Sequence, residues 1–282
     1  MPGEAPVPAV PKVELHDGVA IPQLGFGVFQ VPPDETQKAV EEALAVGYRH
    51  VDTAAAYRNE AGVGAAIAAS DIPREELFVT TKLWNSEHGH DSALQACARS
   101  LEALGLEYVD LYLIHWPLPA ADLYMDTWRG FEALKIEGRS RSIGVSNFRL
   151  EELERLQREA DQQPTINQIE LHPYLQQHEL RHWQVEHALA TEAWSPIAQG
   201  AALEDETIAT IAAHHERTPA QTILRWHLQL GNVVIPKSVT PARIRENFEV
   251  FDFELSEDDM AAIARLDRGE RTGPDPATFS VK

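Results

Sequence analysis

Two rhythms of apolar residues alternate along this chain. Short runs rich in Val, Ile, Leu, Tyr and Phe occur at 24–28, 50–52, 78–82, 109–114, 142–145, 166–169, 190–194 and 233–236. They predict strands. Between them lie stretches whose apolar positions return every three or four residues, at 35–46, 60–70, 91–104, 123–137, 150–160, 178–187 and 242–248. These predict amphipathic helices. The segment between the last two strands is too long for one helix and is read as two, at 204–215 and 219–230. Strand and helix repeat about every thirty residues, the signature of parallel strands joined by crossover helices. Eight such units close a barrel, so the expected fold is a (β/α)8 TIM barrel.

Local signals support these boundaries. Thr218-Pro219-Ala220-Gln221 and Ser256-Glu257-Asp258-Asp259 each place a capping hydroxyl ahead of a helix, with a polar side chain at its third position. Gly47, Gly105 and Gly138 close helices where a left-handed residue is needed. Ahead of the barrel, residues 12–22 read as a β-hairpin turned by Asp17-Gly18. Residues 1–11 carry four prolines and read as a flexible arm, without the basic start and apolar centre of a signal peptide. Residues 269–282 read as a C-terminal loop, and residues 1–282 as one domain. The rival doubly wound dinucleotide fold lacks its glycine fingerprint. Gly25-Phe26-Gly27 has Gln30 at the sixth position, and Gly62-Val63-Gly64 has Ile67.

The strand ends carry the chemistry. Asp52, Lys82 and His115 lie at or just past the ends of three predicted strands, with Tyr57 five residues beyond Asp52. Parallel strands bring these groups to one rim, where barrels of this kind place their sites. A carbonyl becomes an alcohol by taking a hydride at carbon and a proton at oxygen. Tyr57 is a weak acid, with an ordinary pKa near 10. The Lys82 ammonium beside it stabilises the phenolate and lowers that value, and Asp52 holds Lys82 charged and in place. A neutral His115 orients the carbonyl oxygen or helps relay the proton. Phe29, Trp84 and Trp116 are expected to line the pocket and keep it dry. Each residue alone has a plainer reading: Asp52 as a loop cap, Tyr57 as loop packing, Lys82 as a solvated charge, His115 as a satisfied buried imidazole. On adjacent strands the four make an enzyme the better reading.

Composition narrows the partners. The 44 Asp+Glu against 24 Lys+Arg give a net charge of −20, which disfavours nucleic acid and anionic membrane surfaces. No apolar run approaches the roughly 20 residues that a bilayer requires. The single cysteine, Cys97, lies in a helical pattern and is expected to be buried, with no disulfide in the chain. A cytoplasmic, monomeric enzyme is the expectation. His88-Gly89-His90 has the look of a metal pair but lacks a carboxylate or cysteine at ligand spacing, so a loop reading is preferred and no metal is expected.

Long motifs now support a resemblance. GYRHVDTAAAYRNEAGVG (Gly47 to Gly64), TTKLWN, LYLIHWP, SIGVSNF, NQIELHP and IPKSVTPARIRENFEVFDFEL resemble the aldo-keto reductase superfamily. Within it the chain is most similar to the bacterial 2,5-diketo-D-gluconate reductases. The resemblance implies that Asp52, Tyr57, Lys82 and His115 form a catalytic tetrad with Tyr57 as proton donor, and that the cofactor is NADPH. It assigns Ser146, Asn147 and Gln168 to the nicotinamide carboxamide and Trp194 to stacking on the ring. Ser195, Ile197, Gln199 and Gly200 fall along the pyrophosphate, and Lys237, Ser238, Val239, Arg243, Glu246 and Asn247 at the adenosine end. That placement agrees with the tendency of such barrels to bind phosphate after strands seven and eight. Small aldehydes and ketones are the implied substrates, among them diketo sugar acids such as 2,5-diketo-D-gluconate and dicarbonyls such as methylglyoxal. Two other readings share the fold: an NADPH-binding redox-sensing or regulatory protein, and an isomerase that grips a phosphate substrate with Lys237. The complete tetrad disfavours the first, and the second leaves Asn147, Gln168 and Trp194 without a purpose.

Overall fold

The computed structural model describes residues 10–281. Residues 1–9 of the expected arm therefore lie outside the described residues. Its last two residues are held: Val10 packs against the core and the Pro11 carbonyl accepts from Gln23 N at 2.8 Å.

Strands β1 (Lys12–Glu14) and β2 (Ala20–Pro22) form the antiparallel hairpin. Gly18 supplies its positive φ of 84°. Eight further strands follow: β3 (Phe26–Gly27), β4 (His50–Asp52), β5 (Phe78–Leu83), β6 (Val109–Ile114), β7 (Ser140–Ser146), β8 (Ile166–Glu170), β9 (Ala190–Trp194) and β10 (Val233–Val234). Each pairs in parallel with its neighbours in chain order. The sheet closes on itself where Leu24 bridges Val234, with Gly25 N donating to Val234 O at 2.9 Å and Gly27 N to Pro236 O at 3.0 Å. At this seam β3 and β10 are shorter than the apolar runs at 24–28 and 233–236. Pro236 has no N–H to extend β10.

The helices are α1 (Pro33–Val46), α2 (Glu60–Ala69), α3 (His90–Leu104), α4 (Tyr124–Ile136), α5 (Leu150–Glu159), α6 (His178–Glu186), α7 (Glu206–His214), α8 (Pro219–Gln229), α9 (Pro241–Phe248) and α10 (Glu257–Ala264). Both expected capping boxes form, at Thr218 with Gln221 and at Ser256 with Asp259. The long segment before β10 does hold two helices. Apolar faces of the ring pack on the outside of the barrel, as where the Phe131 ring stacks 4.6 Å from Tyr112. Helices α2 and α3 approach so closely that a Cβ on Gly64 would meet Leu104 O at 2.2 Å, so only glycine fits there. Cys97 is fully buried on α3, and burial pushes its thiol up to about 12, which leaves it unreactive.

A second apolar cluster joins Leu15, Val19 and Ile21 of the hairpin region to Phe78, Ile166 and Val233, the first residues of three strands. The hairpin thus plugs the N-terminal mouth of the barrel, and access is left at the C-terminal rim.

Candidate active site

The rim opens into a cleft of about 1280 Å³ whose walls include Asp52, Tyr57, His115, Gln168, Trp194 and Lys237. Register brings the first of these together. Asp52 ends β4, Lys82 lies near the end of β5, His115 directly follows β6, and Tyr57 closes a short 3-10 turn, Ala55–Tyr57, beyond β4. Asn59 fixes that turn. Its amide donates to Val28 O at 2.9 Å and to Val31 O at 3.2 Å, while its Oδ1 accepts from Thr53 Oγ1 at 2.9 Å.

Lys82 is fully buried and donates to Asp52 Oδ1 at 2.6 Å, to Thr53 O at 2.9 Å and to the Tyr57 hydroxyl at 3.5 Å. Burial alone would lower its pKa, but Asp52 and Tyr57 outweigh that cost and hold it above the ordinary lysine value. It is an ammonium. His115 is buried too, and burial, helped by the Lys82 charge, drives its pKa well below the usual range. Its neutral ring stands 5.7 Å from the Tyr57 ring and 5.3 Å from Trp84.

Tyr57 departs from the sequence expectation. Lys82 does pull its pKa down, but burial is the larger effect and the net direction is upward. The phenol is therefore held protonated, and a proton leaves it only as negative charge develops on a nearby oxygen. Phe29 departs as well. It packs on Tyr57 with ring centroids 5.1 Å apart, yet it is 52% exposed and marks the mouth of the cleft, not its dry interior. Trp116 is buried as expected, and Trp84 is half-buried on the wall.

The expected nicotinamide groups meet around Trp194. Asn147, at a left-handed φ of 63°, donates through Nδ2 to His115 O at 2.9 Å and to Ser146 Oγ at 3.1 Å. Its Oδ1 accepts from Trp194 Nε1 at 2.9 Å, which fixes the indole. The Ser146 hydroxyl donates to Gln168 O at 2.9 Å. Ser195, Ile197 and Gln199 continue the cleft wall, while Gly200 stays off it. At the far end only Lys237 of the expected set lines the cleft. Ser238, Val239, Arg243, Glu246 and Asn247 follow on the next turn and on α9, outside its walls. Ser238 Oγ accepts from Thr240 N at 3.1 Å, and Glu246 is tied to Thr218 Oγ1 at 2.8 Å, the cap of α8. Lys237 and Arg243 are exposed and form no ion pair among the described residues.

Two buried carboxylates were missed in the sequence. Glu170 gathers the C-terminal segment: its Oε1 accepts from Thr272 N at 2.6 Å, Thr272 Oγ1 at 2.7 Å, Gly273 N at 3.1 Å and His172 Nε2 at 3.1 Å. Gly273 consequently lies on Trp194, where a Cβ would come within 2.4 Å of the indole. The tail goes on to place Phe279 4.3 Å from the Trp116 ring and Val281 O 2.6 Å from Asn85 Nδ2. Glu192 is fully buried beside Gln168 inside the barrel. Both carboxylates were legible from strand alternation, since Glu170 follows Gln168 by two residues and Glu192 precedes Trp194 by two, which puts each on the inward face. Elsewhere, His90 opens α3 and pairs with Asp91 at 2.8 Å. His214, His215 and Asp259 lie close together, with Asp259 engaged with Ser256 in the capping box of α10.

A closed barrel with a buried Asp–Lys pair, a phenol and a neutral imidazole at its C-terminal rim defines a carbonyl oxidoreductase class of site. The aldo/keto reductase family matches residues 23–268, and this chain belongs to it. It is 55% identical over 270 residues to an aldo-keto reductase of Mycolicibacterium smegmatis, covering 96% of this chain and 98% of that one. It is 51% identical over 269 residues to the methylglyoxal reductase DkgA of Escherichia coli, covering 95% of this chain and 97% of the relative. Among solved structures, a mutant of Gox0644 in complex with NADPH is 49% identical, with a TM-score of 0.93 over 97% of this chain and 100% of that chain.

Proposed function

We propose that this protein reduces small aldehydes and ketones, dicarbonyls such as methylglyoxal first among them, with NADPH as cofactor and Tyr57 as proton donor. The observation that carries the reading is the continuity of one cleft from Asp52, Tyr57 and His115, with Lys82 buried behind them, past Trp194 to Lys237. Its volume of about 1280 Å³ suits a dinucleotide with a small carbonyl at the tetrad end. The half-buried indole of Trp194 offers a face for a flat ring. Lys237 offers a cation for phosphate, and Ser238 and Arg243 just beyond it extend that chemistry toward a 2′-phosphate.

NADPH, when bound, supplies the hydride that the carbonyl carbon accepts. The neutral His115 and the Tyr57 hydroxyl orient the carbonyl oxygen. As negative charge grows there, Tyr57 gives it the phenolic proton, and the Lys82 ammonium, held by Asp52 and Thr53 O, stabilises the phenolate left behind. Trp84 and Trp116 exclude water, which strengthens these charge effects. The similarity to methylglyoxal reductase DkgA supports the choice of substrate class. Every group in this reading comes from one chain, so a monomer suffices. The charge of −20 favours a small-molecule partner over nucleic acid, and a cytoplasmic location fits both.

The test is a panel of aldehydes, ketones, dicarbonyls and diketo acids compared by kcat/KM with NADPH and with NADH. We expect dicarbonyl turnover and a clear preference for NADPH, since each charge-assisted bond to the extra phosphate is worth about 1.5–3 kcal/mol. Absence of turnover across the panel would sink the enzymatic reading, and equal kcat/KM for the two cofactors would remove the assigned adenosine end.

A further inference from the structure

We infer that Glu192 is a positioning residue that fixes the orientation of the Gln168 amide, so that Gln168 presents its carbonyl oxygen, and only that, to the ligand in the cleft. Gln168 and Glu192 face each other in register across β8 and β9. Gln168 Nε2 donates to Asp52 Oδ2 at 2.8 Å and to Glu192 Oε2 at 2.9 Å. A primary amide has two N–H donors, and here both are taken. Turning the amide over would aim its oxygen at the Asp52 carboxylate, whose charge the buried Lys82 pair maintains. The flipped state is excluded while both acceptors are present. Gln168 Oε1 accepts from no described residue, although Gln168 is only 2% exposed and lines the cleft.

The neighbouring groups make Gln168 the selective one. Asn147 commits both donors of its amide to protein, and Ser146 commits its hydroxyl proton. Gln168 Oε1 is then an acceptor awaiting a donor, and on the reading proposed above that donor is the carboxamide NH2 of the cofactor. Glu192 serves through its acceptor oxygen and not through charge. Burial first, then the negative charge of Asp52, pushes its carboxyl up to about 8, so the neutral acid predominates at pH 7. Its other oxygen, Oε1, has no hydrogen-bond partner and stands 3.7 Å from Nε2 of His50, which burial keeps neutral. The remaining charge facing this group is Lys82 on β5.

This inference rests on the cofactor reading above, and the experiment separates the two. Binding of NADPH is compared with binding of its reduced 3-acetylpyridine analogue, which keeps the carbonyl but replaces NH2 by methyl. Binding is followed by fluorescence titration without a carbonyl substrate, so turnover plays no part. The wild-type enzyme should prefer NADPH by about tenfold, the size of one hydrogen bond. Gln168→Leu should erase the preference. Glu192→Ala should cut it at least about threefold, because the amide is then held by Asp52 alone and can swing out of line with the ligand, whereas Glu192→Gln, which retains an acceptor oxygen at the same place, should preserve it. A Glu192→Ala enzyme that keeps the full preference while Gln168→Leu loses it overturns the positioning role and leaves the cofactor reading intact. Loss in Glu192→Gln equal to that in Glu192→Ala also overturns it, since the acceptor would then be irrelevant. A preference unchanged in Gln168→Leu overturns the carboxamide assignment, and the positioning role with it. Should the alanine variant fail to fold, Glu192→Met gives the same comparison at similar volume.

Discussion

In the proposed function Tyr57 is the residue on which the chemistry turns, and its surroundings set a sign for pH dependence. In a fully aqueous loop a lysine 3.5 Å away would lower the phenol's pKa, but here burial outweighs Lys82 and the pKa is raised. The acid form needed for reduction is therefore present throughout the neutral range and persists past the ordinary tyrosine value of about 10. His115 titrates well below its usual value, so it adds no transition near pH 6 to 7. We expect kcat/KM for reduction to stay flat from about pH 6 to about pH 9 and to fall only in the alkaline range, because this parameter reports groups of the free enzyme. A fall centred near neutrality would mean that the Lys82 charge outweighs burial at Tyr57.

At the scale of elements, the C-terminal segment is a strap. It has neither strand nor helix, yet Glu170 grips its start, Phe279 covers Trp116, and Asn85 holds its end. Burial alone would raise the Glu170 carboxyl, but hydrogen bonds from His172 and Thr272 carry it below its ordinary value. Deleting residues 274–282 leaves the Glu170 grip in place and removes the wall over Trp116. We expect KM for bulky carbonyls to rise severalfold, selectivity among substrates to shift, and NADPH affinity and the melting temperature to change little. An unchanged selectivity profile in the truncated enzyme would show that the strap forms no part of the pocket.

The strap also marks the limit of what the sequence reveals. All eight barrel strands and ten helices were readable from apolar period, caps and glycines, because amphipathic faces are local properties. The clustering of Asp52, Tyr57, Lys82 and His115 was readable because parallel strands deliver their ends to one rim. The Glu170 clamp was not, since it joins positions 102 residues apart through backbone N–H groups, which every residue carries. The net direction of Tyr57 was hidden for a related reason. It depends on how much protein surrounds the phenol, and spacing to Lys82 gives no measure of that.

For the molecule as a whole, closure at one end and around the wall channels function to one place. The hairpin seals the N-terminal mouth, and the helix ring covers the barrel wall, so the rim cleft is the opening that leads to Asp52, Tyr57 and His115. A net charge of −20 repels an anionic cofactor at long range, but screening confines that effect to about 8–10 Å at ordinary salt. In the proposed function, local cations at Lys237 and Arg243 then decide binding. No helix among the described residues is long and apolar enough to cross a membrane. The central claim, that Tyr57 is the acid of an NADPH-dependent carbonyl reductase, is tested by Tyr57→Phe, which removes one hydroxyl and leaves the ring packed against Phe29 and His115. Turnover of methylglyoxal and NADPH affinity should be measured on the same preparations of wild-type and variant enzyme. We expect kcat to fall by at least about a hundredfold, a barrier increase near 2.7 kcal/mol, with NADPH affinity within about threefold of wild type. Retention of more than about a tenth of kcat, with the cofactor still bound, would show that the proton comes from somewhere else.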